Sequence, residues 1–213
     1  MNEKFFALPL EKQERIINAG FHVFAQNSYK KSPVQEIALE AGVSKSLLFH
    51  YFKNKKELYL FLWKKAEQIT LENIHKHKDQ TSGDFFENMY SSLVSKLEIL
   101  KVYPDIMRFS IRVYYEDDPD IKDEVRKQVA PYTRLATNKT LISLNPEQFK
   151  EGLDLEKMYK FIYLASEGYL WQLSHNDDMD VDKVVKGYKE LIDFWKTLFL
   201  KDGGSHEFNR QNG

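Results

Sequence analysis

The chain has 213 residues, of which 42% are hydrophobic and 30% are charged, so it is long enough for one large or two small domains and too apolar for a disordered chain. It has no cysteine, which excludes disulfides, cysteine nucleophiles and thiolate metal sites. The net charge of −1 is unevenly divided: residues 1–66 hold 11 basic and 6 acidic residues, whereas residues 67–213 hold 20 and 26. A basic N-terminal module on an acidic body is the distribution that phosphate binding by one end requires, with ordinary surface variation as the alternative.

Neither a membrane span nor a secretion signal is expected. No apolar run approaches the roughly 18 residues that cross a bilayer. The N-terminal stretch M-N-E-K-F-F-A-L-P-L-E-K returns to charge after too short an apolar run for a signal peptide. We therefore expect a cytoplasmic protein.

The pattern of apolar residues predicts an all-α fold of about nine helices. A stripe at helical spacing indicates the first helix over residues 9–27. Ser32, Pro33 and Gln35 predict the start of a second helix, with Ser32 as the N-cap of a capping box and Pro33 at the first helical position. Gly42 follows that helix at once, where a sharp turn between helices needs a residue in the left-handed conformation.

A third helix is predicted directly after this turn. Ser44 suits its N-cap, and its buried side would carry Leu48 and Phe52. The opposite side shows Lys45, Ser46, Leu47 and His50. Asn54, with Glu57 three residues later, predicts the start of a long fourth helix that runs to about residue 77.

This N-terminal pattern resembles the TetR family of one-component transcriptional regulators. The resemblance is carried by I-A-L-E-A-G-V-S-K at residues 37–45 and by H-Y-F-K-N-K-K-E-L at residues 50–58, and it covers about the first 65 residues. It implies an N-terminal three-helix helix-turn-helix DNA-binding domain over 1–53 and a larger helical ligand-binding and dimerisation domain over 54–201. The tail at 202–213 is expected to be disordered.

The helix-turn-helix pattern also predicts which residues meet DNA. A second helix that enters the major groove reads bases with its N-terminal residues, while flanking groups hold phosphates. The groove-floor candidates are Ser44, Lys45, Ser46 and Leu47. The phosphate candidates are His50, Tyr51, Lys55 and the helix start at Ser32, and the family commonly uses Tyr51 and Lys55 in this way. Lys45 could donate to guanine and Leu47 could touch a thymine methyl group.

The sequence departs from the family pattern in two places, which involve three residues. Ser46 and Leu47 stand where the family often has Gly-Thr, and Phe49 stands where a tyrosine is usual. Two hydroxyl groups that could contact DNA are therefore absent, which leaves those contacts and the operator sequence open.

Five further helices are predicted in the body, over 84–102, 104–115, 119–137, 154–175 and 181–200. A short helix before Gly152 is also indicated, by Asn145, Pro146 and Gln148. The last two long helices carry enough apolar surface to pair with their copies as a four-helix dimer interface, and the resemblance implies the same arrangement. The alternative is that they close the core of a monomer.

The resemblance implies that a small molecule enters the body of the protein. It then changes the separation of the two helices, one in each subunit of the dimer, that read DNA bases. Such a switch requires different affinities for two states, and its pocket should be mostly apolar with a few polar groups. The candidate contacts are Phe86, Tyr90, Phe109, Arg112, Tyr163, Glu167 and Trp171. Core packing is the simpler role for each aromatic ring, and Arg112 and Glu167 could instead pair with each other or face solvent. An aromatic-rich pocket favours a flat or greasy molecule, such as a drug or lipid, over a sugar.

The predicted function is a ligand-responsive regulator that binds an inverted-repeat operator as a homodimer and is released by a small hydrophobic or aromatic molecule. A repressor is the family's commoner role. The alternative is a helical DNA-binding adaptor or structural protein of the same fold, without effector-controlled transcription. An enzyme is disfavoured, because the sequence has no Gly-rich phosphate loop and no H-E-x-x-H motif, so no catalytic residue, metal site or cofactor is predicted.

Overall fold

A computed structural model describes residues 3–76, 84–131, 144–174 and 180–201, and it confirms the all-α prediction. The elements in chain order are α1 (Glu3–Phe6), α2 (Leu10–Gln26), α3 (Val34–Glu40), α4 (Lys45–Tyr51), α5 (Lys55–Lys76), α6 (Phe85–Ile99), α7 (Ile106–Tyr114), α8 (residues 122–131), a 3-10 turn (Pro146–Gln148), α9 (Leu155–Ser174) and α10 (Val181–Phe199). The tail predicted to be disordered, 202–213, lies outside the described residues. No helix in the described ranges is long and apolar enough to cross a membrane.

The short helix α1 was not predicted, because four residues are too few to show a periodic pattern. It is held by Phe5, which is fully buried. The ring of Phe5 lies 5.3 Å from the ring of Phe52 and 5.0 Å from that of Phe61, measured between centroids. Burial of this one ring therefore ties the start of the chain to α5 and to the end of α4.

The capping box predicted at the start of α3 is wrong. The N-cap of α3 is Pro33, and no side chain caps the helix. Ser32 is only 1% exposed, and its hydroxyl donates to the carbonyl oxygen of Ser28 at 2.9 Å. A hydroxyl removed from water needs a partner, and here a backbone carbonyl four residues back supplies it.

The chain divides into two compact units. Unit 1 comprises Met1–His75 and Glu98–Thr133, and unit 2 comprises Lys76–Leu97 and Arg134–Gly213. Unit 1 thus contains α7 and α8 together with the N-terminal helices, because one hydrophobic cluster joins buried residues of α2, α5, α7 and α8. The predicted division at residue 53 is one between a DNA-binding domain and a ligand-binding domain, and it stays a prediction.

The side chain of Leu62 in α5 packs against α2 at Gly20. A Cβ atom built on Gly20 would lie 2.5 Å from Cδ1 of Leu62, which is closer than real Cβ contacts. Leu62 is fully buried. A side chain at Gly20 would therefore force the buried Leu62 side chain to move.

Unit 2 is held together by α9 and α10 and by the segment before α9. The hydroxyl of Tyr169 in α9 donates to the carbonyl oxygen of Val184 in α10 at 3.1 Å. The hydroxyls of Ser166 and Tyr188 lie 3.2 Å apart between the same two helices. The buried Phe149 forms an isolated antiparallel bridge with the residue that follows α10.

Candidate nucleic-acid interface

The turn between α3 and α4 has the geometry that the sequence predicted. Gly42 lies in the left-handed region, with φ of +64°. The amide of Val43 donates to the carbonyl of Ala38 at 2.9 Å, and the amide of Gly42 donates to the carbonyl of Leu39 at 3.1 Å. These two bonds form a Schellman motif, which ends α3 and satisfies carbonyls that the helix itself cannot pair. The turn fixes the direction in which α4 leaves α3.

The start of α4 is exposed and is capped as predicted. The hydroxyl of Ser44 accepts a hydrogen bond from the amide of Leu47 at 3.1 Å and lies 3.0 Å from the hydroxyl of Ser46. Lys45 is exposed on the same side, and Leu47 is half-buried. The other side of α4 buries Leu48 completely. The four predicted base-reading residues are thus presented together at the N-terminal end of one helix.

The predicted phosphate-binding residues differ in their surroundings. His50 is exposed, whereas Tyr51 is 7% exposed and its ring lies 6.2 Å from that of Phe5. The hydroxyl of Ser32 faces the interior, as described above, so only the backbone of this segment is available to a phosphate.

A groove of about 440 Å³ lies beside the exposed end of α4, and four lysines line it. Its lining residues are Lys30, Lys31, Ser32, Pro33, Val34, Gln35, Lys45, Phe49 and Lys55. Lys30, Lys31 and Gln35 were not among the predicted DNA contacts. A pair of lysines shortly before a helix start is the signal that could have indicated Lys30 and Lys31, because phosphates bind where cations and the free amides of a helix N-terminus coincide.

Lys55 is held in this groove by two contacts of its ammonium group. Its Nζ atom lies 4.8 Å from the ring centroid of Tyr29 and donates to the carbonyl oxygen of Lys30 at 3.2 Å. Burial lowers the pKa of Lys55, while the charges of Asp118 and Glu116 act in the opposite direction. A cation held over an aromatic face in this way is ready to bind an anion without first being ordered.

The seven predicted effector contacts are divided between the two units. Phe109 lies in unit 1, fully buried, with its ring centroid 5.1 Å from that of Phe21 and 5.4 Å from that of Tyr59. Arg112 also lies in unit 1, and its guanidinium donates to the carbonyl oxygens of Ala25 and Gln26 near the end of α2. The geometry therefore accounts for Phe109 as a core ring and for Arg112 as a cap of α2.

The other five predicted effector contacts belong to unit 2. Phe86 is fully buried, Tyr90 is half-buried and Trp171 is 37% exposed. The hydroxyl of Tyr163 donates to the carboxylate of Glu167, one turn further along α9. Among the described residues no cluster of histidines and carboxylates is suited to hold a metal ion.

Comparison with known proteins gives the same assignment as the motif. Residues 16–61 match the model of bacterial regulatory proteins of the tetR family. The chain is 24% identical over 162 residues to the uncharacterized HTH-type transcriptional regulator YerO of Bacillus subtilis, a match that covers 74% of this chain but only 47% of that protein. It is 23% identical over 154 residues to the fatty acid metabolism regulator protein of B. subtilis, covering 71% of this chain and 78% of the relative.

A solved structure extends the likeness beyond the N-terminal module. The fatty acid degradation regulator FadR from Bacillus halodurans superposes with a TM-score of 0.64 at 18% identity, covering 84% of this chain and 96% of that chain. At this identity the likeness shows a shared fold. The family model and the curated relatives identify the N-terminal module as that of the TetR family of transcriptional regulators, and the solved structure shares the all-helical fold of the described residues.

Proposed function

We propose that this protein is a ligand-responsive transcriptional repressor that binds an inverted-repeat operator as a homodimer. The observation that carries the proposal is the exposed start of α4 beside a groove lined by four lysines. Lysines at such a place neutralise phosphates, while the end of the helix reaches base edges in the major groove. A protein with this role works in the cytoplasm, on the chromosome, and we assign the reading domain to residues 1–53 and the body to 54–201.

The proposed DNA contacts fall into two sets. Base edges are read from the exposed end of α4 by Ser44, Lys45, Ser46 and Leu47. Phosphates are held by His50 and Lys55 and by the edge of Tyr51, together with the backbone at Ser32. We add Lys30 and Lys31 to this second set, because they line the same groove as Lys55.

The proposed dimer interface is formed by α9 and α10. On α9, Phe161 is 68% exposed and Leu164 is 51% exposed; on α10, Phe194 is 57% exposed and Leu198 is 46% exposed. Each pair lies three or four residues apart, so each forms a continuous apolar stripe on its helix. A second copy of the chain would bury both stripes in a four-helix arrangement, which two-fold symmetry allows because each surface is its own partner.

We propose that the effector is a hydrophobic molecule bound by unit 2, with an acyl chain as the first candidate. Phe86, Tyr90, Tyr163 and Trp171 would supply apolar contacts, and the carboxyl of Glu167, beside the Tyr163 hydroxyl, would meet a polar group. Two of the similar proteins are named for fatty acid metabolism or degradation, which supports this choice.

The experiment that tests the proposal is selection of random duplex DNA by the purified full-length protein, followed by sequencing. An enriched inverted repeat is the expected result, and Lys45→Ala together with Lys55→Ala should abolish the enrichment. Binding without sequence preference would favour the adaptor or structural role over the regulator. No binding to any duplex by a folded protein would exclude both.

The effector proposal has a separate test. Hexadecanoic acid is added to the protein bound to its selected DNA, and release is followed by fluorescence anisotropy. Glucose serves as the polar control. Release by the fatty acid alone is expected, and release by neither compound would exclude an acyl effector while leaving DNA recognition intact.

A further inference from the structure

A buried carboxylate from the segment after α7 bonds to Tyr29, whose ring lies against Lys55 of the groove. Glu116 follows α7 by two residues, yet it is only 9% exposed. Its Oε2 atom accepts hydrogen bonds from the amide of Tyr29 at 3.2 Å and from the hydroxyl of Tyr59 at 3.3 Å. Its Oε1 atom accepts from the amide of Asp118 at 3.0 Å. Three donors from three parts of unit 1 thus converge on one buried carboxyl group and satisfy both of its oxygens.

Tyr29 connects this carboxylate to the lysines of the groove. Its ring lies edge-to-face with that of Tyr59, with centroids 5.2 Å apart, and it is 9% exposed. Tyr29 also contacts Lys55. The Nζ atom of Lys55 lies over the Tyr29 ring and donates a hydrogen bond to the carbonyl of Lys30. Displacement of Tyr29 would therefore displace both the surface on which Lys55 rests and the carbonyl to which it donates.

We propose that Glu116 is a positioning residue for DNA binding, which holds the Tyr29 corner so that Lys30 and Lys55 face the groove. The inference rests on the proposed function of this groove in phosphate binding. Glu116 itself does not touch DNA. It acts through the Tyr29 amide, and the Tyr59 hydroxyl fixes the carboxylate from the other side.

The direction in which one substitution changes DNA affinity distinguishes a positioning role from a simple electrostatic effect. A negative charge near a phosphate-binding groove repels DNA, so its removal should by itself strengthen binding. Glu116→Gln removes the charge and also replaces one accepting oxygen by an NH2 group, which donates, at a site where both oxygens accept hydrogen bonds. If Glu116 positions the corner, the variant must bind DNA more weakly in spite of its more favourable charge.

The test compares Glu116→Gln with Asp117→Asn in the full chain, on one fixed duplex over a series of salt concentrations. Asp117 is the exposed neighbour and loses the same charge. We expect Glu116→Gln to bind roughly tenfold more weakly, with a salt slope smaller by up to about one, since the groove loses about one phosphate contact. Asp117→Asn should bind as tightly as the wild type or more tightly. Equal affinities for the two variants would overturn the inference.

Two further variants show whether the effect passes through the corner. In a Lys55→Ala background, Glu116→Gln should cause a smaller additional loss than in the wild type, because one of the two lysine contacts that Glu116 positions is already gone. Tyr59→Phe removes one donor to the carboxylate without changing any charge, and it should weaken binding in the same direction by about threefold. If Glu116→Gln does not fold, as judged by circular dichroism, Tyr59→Phe decides, and unchanged affinity in that folded variant overturns the inference. Failure of the wild type to bind any duplex would instead be a failure of the proposed function.

Discussion

Two lysines of the proposed DNA interface differ in their surroundings. Lys45 is exposed at the start of α4, with its Nζ atom 5.9 Å from the ring centroid of Phe49. Lys55 is half-buried and is fixed by the Tyr29 ring and the Lys30 carbonyl. An exposed cation can reach a base edge, whereas a cation fixed against a ring and a carbonyl suits the phosphate, whose position does not depend on sequence.

Replacement of Lys55 by alanine should weaken binding to all duplexes about equally. The salt slope of the affinity should fall by roughly one, because one fewer phosphate is neutralised. Lys45→Ala is the matched comparison, and it should instead relax the preference at particular base pairs. The measurement is a salt titration of affinity for the selected operator and for a scrambled duplex. An unchanged slope in Lys55→Ala would remove Lys55 from the phosphate set.

A second residue-scale prediction concerns His22 in α2, which is surrounded by carboxylates. Its Nδ1 atom lies 2.9 Å from Oδ2 of Asp105, and its Nε2 atom lies 3.8 Å from Oε1 of Glu40. The hydrogen bond to Asp105 raises the pKa of His22 above the ordinary value of 6.5, with smaller contributions from the charges of Asp105, Glu40 and Glu36 and an opposing effect of burial. The protonated ring is therefore stabilised in the folded chain.

The contribution of His22 to stability should consequently depend on pH. It is fully present below the unfolded-state pKa and is lost as pH rises through the higher pKa of the folded state. His22→Gln should lower the free energy of unfolding at about pH 5.5 and change it little at about pH 8.5. The ring is 46% exposed, so the effect should stay below about 1 kcal/mol. Urea unfolding at both pH values measures it, with His50→Gln as the exposed control; an equal loss at both pH values would contradict the prediction.

At the scale of elements, local chemistry could be predicted from the sequence and remote contacts could not. Ser44 caps α4, and Asn54 accepts from the amide of Glu57 at 2.8 Å, both as predicted. Such caps join groups only three residues apart, so the sequence contains the whole interaction. Ser32 differs because burial directs its hydroxyl inward, and burial depends on the packing of other helices. Glu116 differs further, since its partner Tyr29 lies 87 residues away.

The packing of α2 on α5 gives a prediction about a whole element. Gly20→Ala would place a methyl group 2.5 Å from Cδ1 of the buried Leu62. We expect it to lower the free energy of unfolding by about 1–3 kcal/mol through overpacking. An alanine in an uncrowded helix would instead stabilise it by about 0.5–1 kcal/mol relative to glycine.

The control for Gly20→Ala is its combination with Leu62→Val, which removes part of the crowding side chain. The double variant should be more stable than the sum of the two single losses predicts, because the two positions are in contact. Denaturant unfolding of the four proteins measures this coupling. Additive losses would show that the two helices adjust elsewhere rather than at this contact.

For the molecule as a whole, the all-α fold could be predicted from the sequence, whereas the neighbours of individual buried side chains could not. Helical periodicity correctly indicated that Phe109 faces inward, but it does not state which neighbours it meets. Those neighbours prove to be rings of α2 and α5 in unit 1. Arg112 is likewise engaged with backbone carbonyls of α2, an interaction across 87 residues that no local pattern encodes. A pocket depends on many such remote contacts, whereas a helix-turn-helix is contained in one short segment.

The final prediction concerns assembly. Phe194 on α10 is 57% exposed in the single chain, and Phe161 on the adjacent α9 is 68% exposed. If a second copy covers these stripes, Phe194→Glu places a carboxylate in the interface of each subunit, where burial of the charge is strongly unfavourable. The variant should be a folded monomer by sedimentation equilibrium and circular dichroism.

Phe194→Glu should also bind the complete operator more weakly. The affinity for the complete inverted repeat should fall towards that for a half-site, because the two reading helices are no longer linked and lose their mutual effective concentration. Val102→Glu introduces the same charge at a residue of unit 1 that is 51% exposed, and it should leave both the dimer and the operator affinity unchanged. A dimeric Phe194→Glu protein would show that α10 lies outside the interface, and the exposed stripe would then need another partner.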